Sequence, residues 1–321
     1  MVKSQGHAAP IVLLTLRVRT PRSGLARSVG FCRFDLTRSV RSTAIALFAL
    51  LAGCAPPPGE EDRRPQPQTA AGGIEMVALP GGWFEMGAAD EDEPDQTLHK
   101  VFVSPFLIDT YPVTQEDYEK LAGKNPSHWK GARNPVDQIR WRDAAAWCNA
   151  RSQAEGLRPA YDPKTWACDF GADGYRLPTE AEYEYALRAG TRGAYFFGES
   201  PDDLKRFAWF KENSPRGSHP VGEKPANPWG LCDMIGNMWE WCNDYYQEDY
   251  YRRSPERDPR GPANGENRVV RGGCWNSKPD HCRSAYRNYE MPGYTDVCFA
   301  KDIHGQIGFR CVRKQPASSS R

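Results

Sequence analysis

The stretch Gly272-Gly273-Cys274-Trp275-Asn276-Ser277 runs on to Cys282, placing two sulfurs eight positions apart behind a glycine pair. Cysteines so placed have three uses. A catalytic pair, Cys274 and Cys282, would need facing thiolates for a soft monovalent metal, or one exposed thiol of lowered pKa that exchanges with a substrate sulfur. In an oxidising compartment the same residues would be half-cystines of a disulfide framework. Buried away from water they would be unreactive thiols. Residue types and spacing leave all three open.

A second group of donors lies upstream, in Asp233-Met234-Ile235-Gly236-Asn237-Met238-Trp239-Glu240-Trp241. Calcium takes six to eight hard oxygens and accepts backbone carbonyls beside carboxylates. Asp233 and Glu240 supply charge, and Gly236 and Met238 offer carbonyls on a tight loop. The competing reading is that Trp239-Glu240-Trp241 plugs the core and both carboxylates are surface groups or ion-pair partners.

Other chemistries find no constellation. After residue 54 the histidines are His99, His128, His219, His281 and His304, none spaced as the helical pairs that hold catalytic zinc. His281, Cys282, Cys298 and His304 lack a zinc fingerprint spacing. There is no P-loop, dinucleotide glycine pattern or nucleophile elbow.

These side chains must be held by a domain, and the sequence shows where it begins. Residues 42–54, Ser-Thr-Ala-Ile-Ala-Leu-Phe-Ala-Leu-Leu-Ala-Gly-Cys, follow a basic stretch with Arg33, Arg38 and Arg41. A positive segment before a short apolar run reads as an export signal, too short to cross a bilayer as a helix. Its end, Leu51-Ala52-Gly53-Cys54, resembles the lipobox of bacterial lipoproteins, with Cys54 as the lipidated residue. An ordinary secretory signal, and a start downstream of Met1, are the alternatives. Residues 55–73 are rich in Pro, Gly and charge and read as an extended tether. Residues 74–314 make one domain large enough to bury a core, and 315–321 a loose tail. The expected location is the bacterial cell envelope, exported and lipid-anchored.

Of the 42 basic and 41 acidic residues, residues 1–54 hold eight and one; the remainder carries 34 against 40, a net charge of −6. An acidic domain without a basic block is a poor nucleic-acid binder, because phosphate neutralisation supplies most of that affinity. No other stretch is apolar enough to cross a membrane. Eight further cysteines, at 148, 168, 232, 242, 274, 282, 298 and 311, suggest a partly oxidised framework whose pairing the sequence does not choose.

Regular structure is sparse. Thr179 with Glu182 forms a capping box before a helix that Gly190 ends. Thr114 opens a weaker version of that signal, and a third helix covers Asp143 to Ala154. Lys-Val-Phe-Val-Ser-Pro-Phe-Leu-Ile (100–108) and Asn-Arg-Val-Val-Arg-Gly-Gly (267–273) read as strands. No internal repeat appears.

Seven blocks occur in order: MVALPGGWFEMG, VSPFLIDTYPVT, NPVDQIRWRDAAAWCNA, YRLPTEAEYEYALRAG, NPWGLCDMIGNMWEWCNDYY, RVVRGGCWN and GFRCVR. Together they resemble the signature of the formylglycine-generating enzyme, or sulfatase-modifying factor, family across Glu75 to Arg313. The resemblance implies an α+β, variant C-type-lectin-like fold with little regular structure. It also implies a structural calcium at the positions of Asp233, Gly236, Met238 and Glu240. The family's second calcium site finds no ligands in residues 206–217.

Members that make formylglycine carry the pattern GGS-x-x-C-x4-C and use its two cysteines with copper(I). Counted from Gly273, the first of those positions is Ser277 and the second Cys282, while Cys274 stands in place of the serine. A hydroxyl is a poor copper(I) ligand, so copper is not expected. The family's partner for Cys311 is read at Leu187, which would leave that disulfide absent. The resemblance also implies that residues 288–306 carry an insertion of about eight residues over the place of the family's peptide groove, with Trp275, Asn276, Tyr289 and Tyr294 as the expected binding surface. The resulting expectation is an envelope protein without copper-dependent chemistry that binds a peptide or glycan, or serves in an assembly. The alternative is an oxidase that makes formylglycine in sulfatases or acts on another envelope substrate.

Overall fold

A computed structural model describes residues 67–69, 73–89, 96–296 and 304–316. The export signal, Cys54, most of the tether, Cys298 and the end of the tail lie outside the described residues. Chain contacts separate residues 1–57 from 58–321, and every described residue belongs to the second unit.

The α+β expectation holds. Among the described residues ten strands form in chain order: β1 (Pro67–Thr69), β2 (Glu75–Leu79), β3 (Gly82–Met86), β4 (His99–Val103), β5 (Phe106–Asp109), β6 (Trp239–Tyr245), β7 (Arg268–Arg271), β8 (Asn288–Glu290), β9 (Ile307–Gly308) and β10 (Val312–Lys314). One sheet has the order β1-β2-β5-β10, all antiparallel. A second has the order β8-β7-β6-β9, with β9 parallel to β6. β3 and β4 pair as a separate ribbon. The run 100–108 is thus two strands in different sheets, because Ser104-Pro105 interrupts it: proline has no N–H to give to a ladder.

The helices are α1 (Gln115–Ala122), α2 (Trp141–Ala154), α3 (Glu180–Arg188) and the short α4 (Leu204–Phe207). α1 starts at Thr114, whose hydroxyl accepts the Asp117 N–H, and stops at Gly123 in the left-handed region. α2 starts two residues before the expected Asp143, whose carboxylate instead caps it by accepting the Arg140 N–H. α3 carries the complete capping box of Thr179 and Glu182.

Although three of its nine residues are glutamates, α3 is buried on every side. Each carboxylate finds a cation from elsewhere. Glu180 accepts from Arg287 at 2.8 and 3.0 Å, Glu182 from Arg176 at 2.6 Å on each oxygen, and Glu184 from Arg188 at 2.8 Å and from Arg271. Buried charges are tolerated only when paired in this way. Two apolar clusters fill the core, and α3 lies in the first. One gathers Val77, Phe106, Ile108, Tyr183 and Val269, and the other Trp141, Trp147, Trp241, Ile307 and Phe309.

Candidate functional site

The loop after β7 turns at Gly272 and Gly273, both at positive φ. A Cβ on Gly272 would lie 2.5 Å from the Tyr183 hydroxyl and 2.9 Å from the Met234 carbonyl. One on Gly273 would lie 2.9 Å from Cys282 Sγ. The glycine pair therefore lets the backbone pass between α3 and the sulfur of Cys282, a packing need independent of chemistry.

Beyond the turn, both sulfurs go inward. Cys274 is 1% exposed and Cys282 0%. The Ser277 hydroxyl accepts the Cys274 N–H at 2.9 Å and lies 3.6 Å from its sulfur, while Gln306 Nε2 approaches that sulfur at 3.7 Å. Burial pushes the Cys282 thiol far up, and the neighbouring Cys274 adds to the rise. A reactive cysteine needs exposure and a cation or dipole that favours the thiolate. Cys282 is not exposed, and the Gly236 backbone dipole that favours its thiolate is outweighed by burial. The first copper position, Ser277, is a buried hydroxyl spent on the Cys274 backbone.

The seven described cysteines are thiols. Cys311, whose family partner was read at Leu187, is among these thiols; its Sγ faces Cys148 Sγ on α2 at 3.5 Å.

Asp233, Gly236 and Met238 lie on the loop that leads into β6 and Glu240 lies in β6 itself, yet they do not converge on a cation. Both Glu240 oxygens are held by Arg310, Nε to Oε2 at 2.7 Å and Nη2 to Oε1 at 2.8 Å, with Tyr183 Oη at 3.2 Å. The Asp233 carboxylate accepts from the Gly222 N–H at 2.7 Å and from Asn237 Nδ2 at 3.2 Å. The Gly236 carbonyl accepts the Met238 N–H at 2.6 Å. As placed, this donor set does not fit calcium, because the guanidinium already supplies the positive charge. Glu240 is the ion-pair partner that the competing reading of this segment described.

The insertion is pinned by residues that local spacing does not reveal. Asp296 accepts from Gln138 Nε2 at 2.9 Å and from the Gly305 N–H at 2.7 Å. The Trp129 indole donates to the His304 carbonyl and the Trp275 indole to the Gly305 carbonyl, each at 2.9 Å. Beside them Asp137 accepts the His128 N–H at 2.6 Å, and burial pushes its carboxyl up to about 6. Trp275 is consequently buried and takes no part in a surface, contrary to expectation, since its edge meets Trp129 and its N–H is used. Asn276 is half-buried. Exposure is concentrated on Tyr289 (45%), Met291 (48%) and Tyr294 (52%), with Tyr289 stacked on Tyr246 at 4.1 Å. Clustered apolar surface of this kind marks interaction sites in soluble proteins.

Comparison with known proteins gives a consistent result. The family described as "Sulfatase-modifying factor enzyme 1-like domain" matches residues 61–315. The chain is 34% identical to the serine/threonine-protein kinase pkn1 of Chlamydia caviae, over 79% of this chain and 40% of that protein. It thus spans well under half the length of that relative. It is 31% identical to the chaperone protein LppX of Paenibacillus barcinonensis, over 75% of this chain and 90% of that protein. It is 28% identical to the formylglycine-generating enzyme of Streptomyces coelicolor, over 76% and 90%. Among solved structures, Treponema denticola variable protein 1 superposes with a TM-score of 0.69 at 29% identity, covering 78% of this chain and 99% of that one.

Proposed function

Because the chain belongs to the sulfatase-modifying factor enzyme 1-like family, we propose that it is a polypeptide-binding member that lacks copper-dependent formylglycine chemistry. In this reading it sits at the cell envelope, held by a lipid on Cys54. The observation that carries the proposal is the burial of both sulfurs behind the glycine pair, with Cys282 held as a thiol. One relative, matched over 90% of its own length, is named a chaperone, which supports binding without turnover. The exposed side chains of Tyr289 in β8 and of Met291 and Tyr294 beyond it offer apolar contact area on a segment braced by Asp296.

The second reading, an oxidase that converts a sulfatase cysteine to formylglycine, is favoured by the match along the Streptomyces coelicolor enzyme. One assay separates the two. The purified domain is incubated with copper(I), oxygen and a peptide containing Cys-x-Pro-x-Arg, and the peptide is weighed. An unchanged substrate mass is expected; a mass matching formylglycine would overturn the proposal. In parallel, the domain is expected to suppress aggregation of chemically unfolded citrate synthase, and a Tyr289→Ala, Tyr294→Ala variant to lose that effect. Equal protection by both proteins would remove these side chains from the proposal. For the anchor, Cys54→Ser should release the protein from membranes; retention would sink the lipid assignment.

A further inference from the structure

A second concave surface lies between β3 and the C-terminal end of α3, lined by none of Tyr289, Met291 and Tyr294. It is a cleft of about 480 Å³ whose floor is aromatic: Phe84, Tyr185 and Trp229, with Trp83 on the rim. The floor is rigid. Tyr185 packs against Phe84 at 5.3 Å and Trp229 at 4.8 Å, and its hydroxyl donates to the Gly81 carbonyl at 2.6 Å. Trp229 is tied to α3 through Asn227, which accepts the Trp229 N–H at 3.0 Å and donates to the Ala186 carbonyl at 2.7 Å. Around these rings stand Glu85, Lys100, Thr191 and Arg192. Trp83 is 43% exposed, and Lys100 Nζ stands 4.5 Å above its ring.

We propose that this cleft binds a pyranose ring of a glycan. A sugar ring presents an apolar C–H face that packs on an aromatic surface, and a girdle of hydroxyls that seek planar charged partners. The cleft offers both within one small volume, a few convergent polar groups around an apolar floor. The Glu85–Arg192 pair, at 3.5 Å and open to water, contributes little to stability. Vicinal hydroxyls can therefore part it at small cost, the carboxylate accepting and the guanidinium donating. A proline-rich peptide also packs on aromatic rings, but it has no hydroxyls for the four polar groups at the rim. The cleft thus favours the sugar.

The test is saturation-transfer difference NMR on the whole chain with N,N′-diacetylchitobiose, cellobiose and maltose, beside a synthetic peptide of residues 55–66. Ring protons of at least one disaccharide are expected to receive saturation. Trp83→Ala, a surface change that leaves the core intact, should weaken binding roughly fivefold, the factor one aromatic contact contributes. Glu85→Gln should weaken it too, while Tyr289→Ala leaves it unchanged, which keeps this outcome separate from that of the exposed tyrosines. Three results overturn the proposal: no transfer to any disaccharide, transfer to the peptide alone, or binding that survives Trp83→Ala.

Discussion

Cys148 and Cys311 hold their sulfurs 3.5 Å apart in the core, although 163 residues separate them along the chain. One sits on α2, the other just before β10. Closing the bond requires the sulfurs to approach to about 2 Å. With oxidised glutathione as oxidant, two thiols lose two protons and two electrons, and one glutathione disulfide is reduced. A non-reducing peptide map of protein folded in that buffer should then contain a Cys148–Cys311 link. Closing so long a loop removes up to about 5 kcal/mol of unfolded-chain entropy. The oxidised form should therefore melt roughly 5–10 °C above the reduced form. Cys148→Ala should abolish the difference. Recovery of both residues alkylated from oxidised, folded protein would refute the pairing.

Sealed sulfurs also predict silence towards alkylating agents. In the folded protein at pH 8, Cys274 and Cys282 should resist iodoacetamide for hours and react within minutes once denatured, as the burial of both and the raised thiol pKa of Cys282 require. Rapid labelling of Cys282 in the native state would reopen the catalytic reading.

Glu240, in β6, and Arg310 form a buried two-point ion pair. Glu240→Gln leaves the guanidinium without its countercharge and should cost about 3–5 kcal/mol, seen as a lower urea midpoint. Because the pair already balances charge, a chelator should not move the melting temperature of the wild type. A drop on adding EDTA, reversed by calcium, would show that the metal displaces the arginine.

Asp244 gives a pH dependence. It is buried in β6, its Oδ1 has no hydrogen-bond partner, and burial together with nearby Glu180 holds its carboxyl well above the usual range. The folded state thus keeps a proton that the unfolded chain releases above about pH 4. Stability is lost as pH rises from there towards the folded pKa. Asp244→Asn removes that loss, and its melting temperature should exceed wild type by roughly 2–4 °C at pH 7 and match it at pH 4. An equal offset at both pH values would contradict the assignment.

Local signals in the sequence were reliable guides to local structure. The capping box at Thr179 and the Thr114 start both appear where expected, because a cap is written within four residues. Partners across the chain are not written that way. Arg310 meets Glu240 across 70 residues, and Arg287 meets Glu180 across 107. A glutamate-rich helix ordinarily reads as solvated, and only the distant arginines make α3 a core element. The same holds at the site. The glycine pair announces a tight passage, but which group crosses it, Tyr183 or Cys282, emerges only from packing. Trp275 looked like a contact residue until a carbonyl from the far side of the insertion, Gly305, took its N–H.

Arg310 reaches further than its carboxylate. Its Nη1 also donates to the carbonyls of Asp109 and Thr110 where β5 ends, and its Nη2 to the carbonyl of Cys232. One guanidinium therefore ties the end of β5 to β6, across two sheets that already share both apolar clusters. Without that rivet the shared cores would still melt together, and a calorimeter would record one peak moved to a lower temperature.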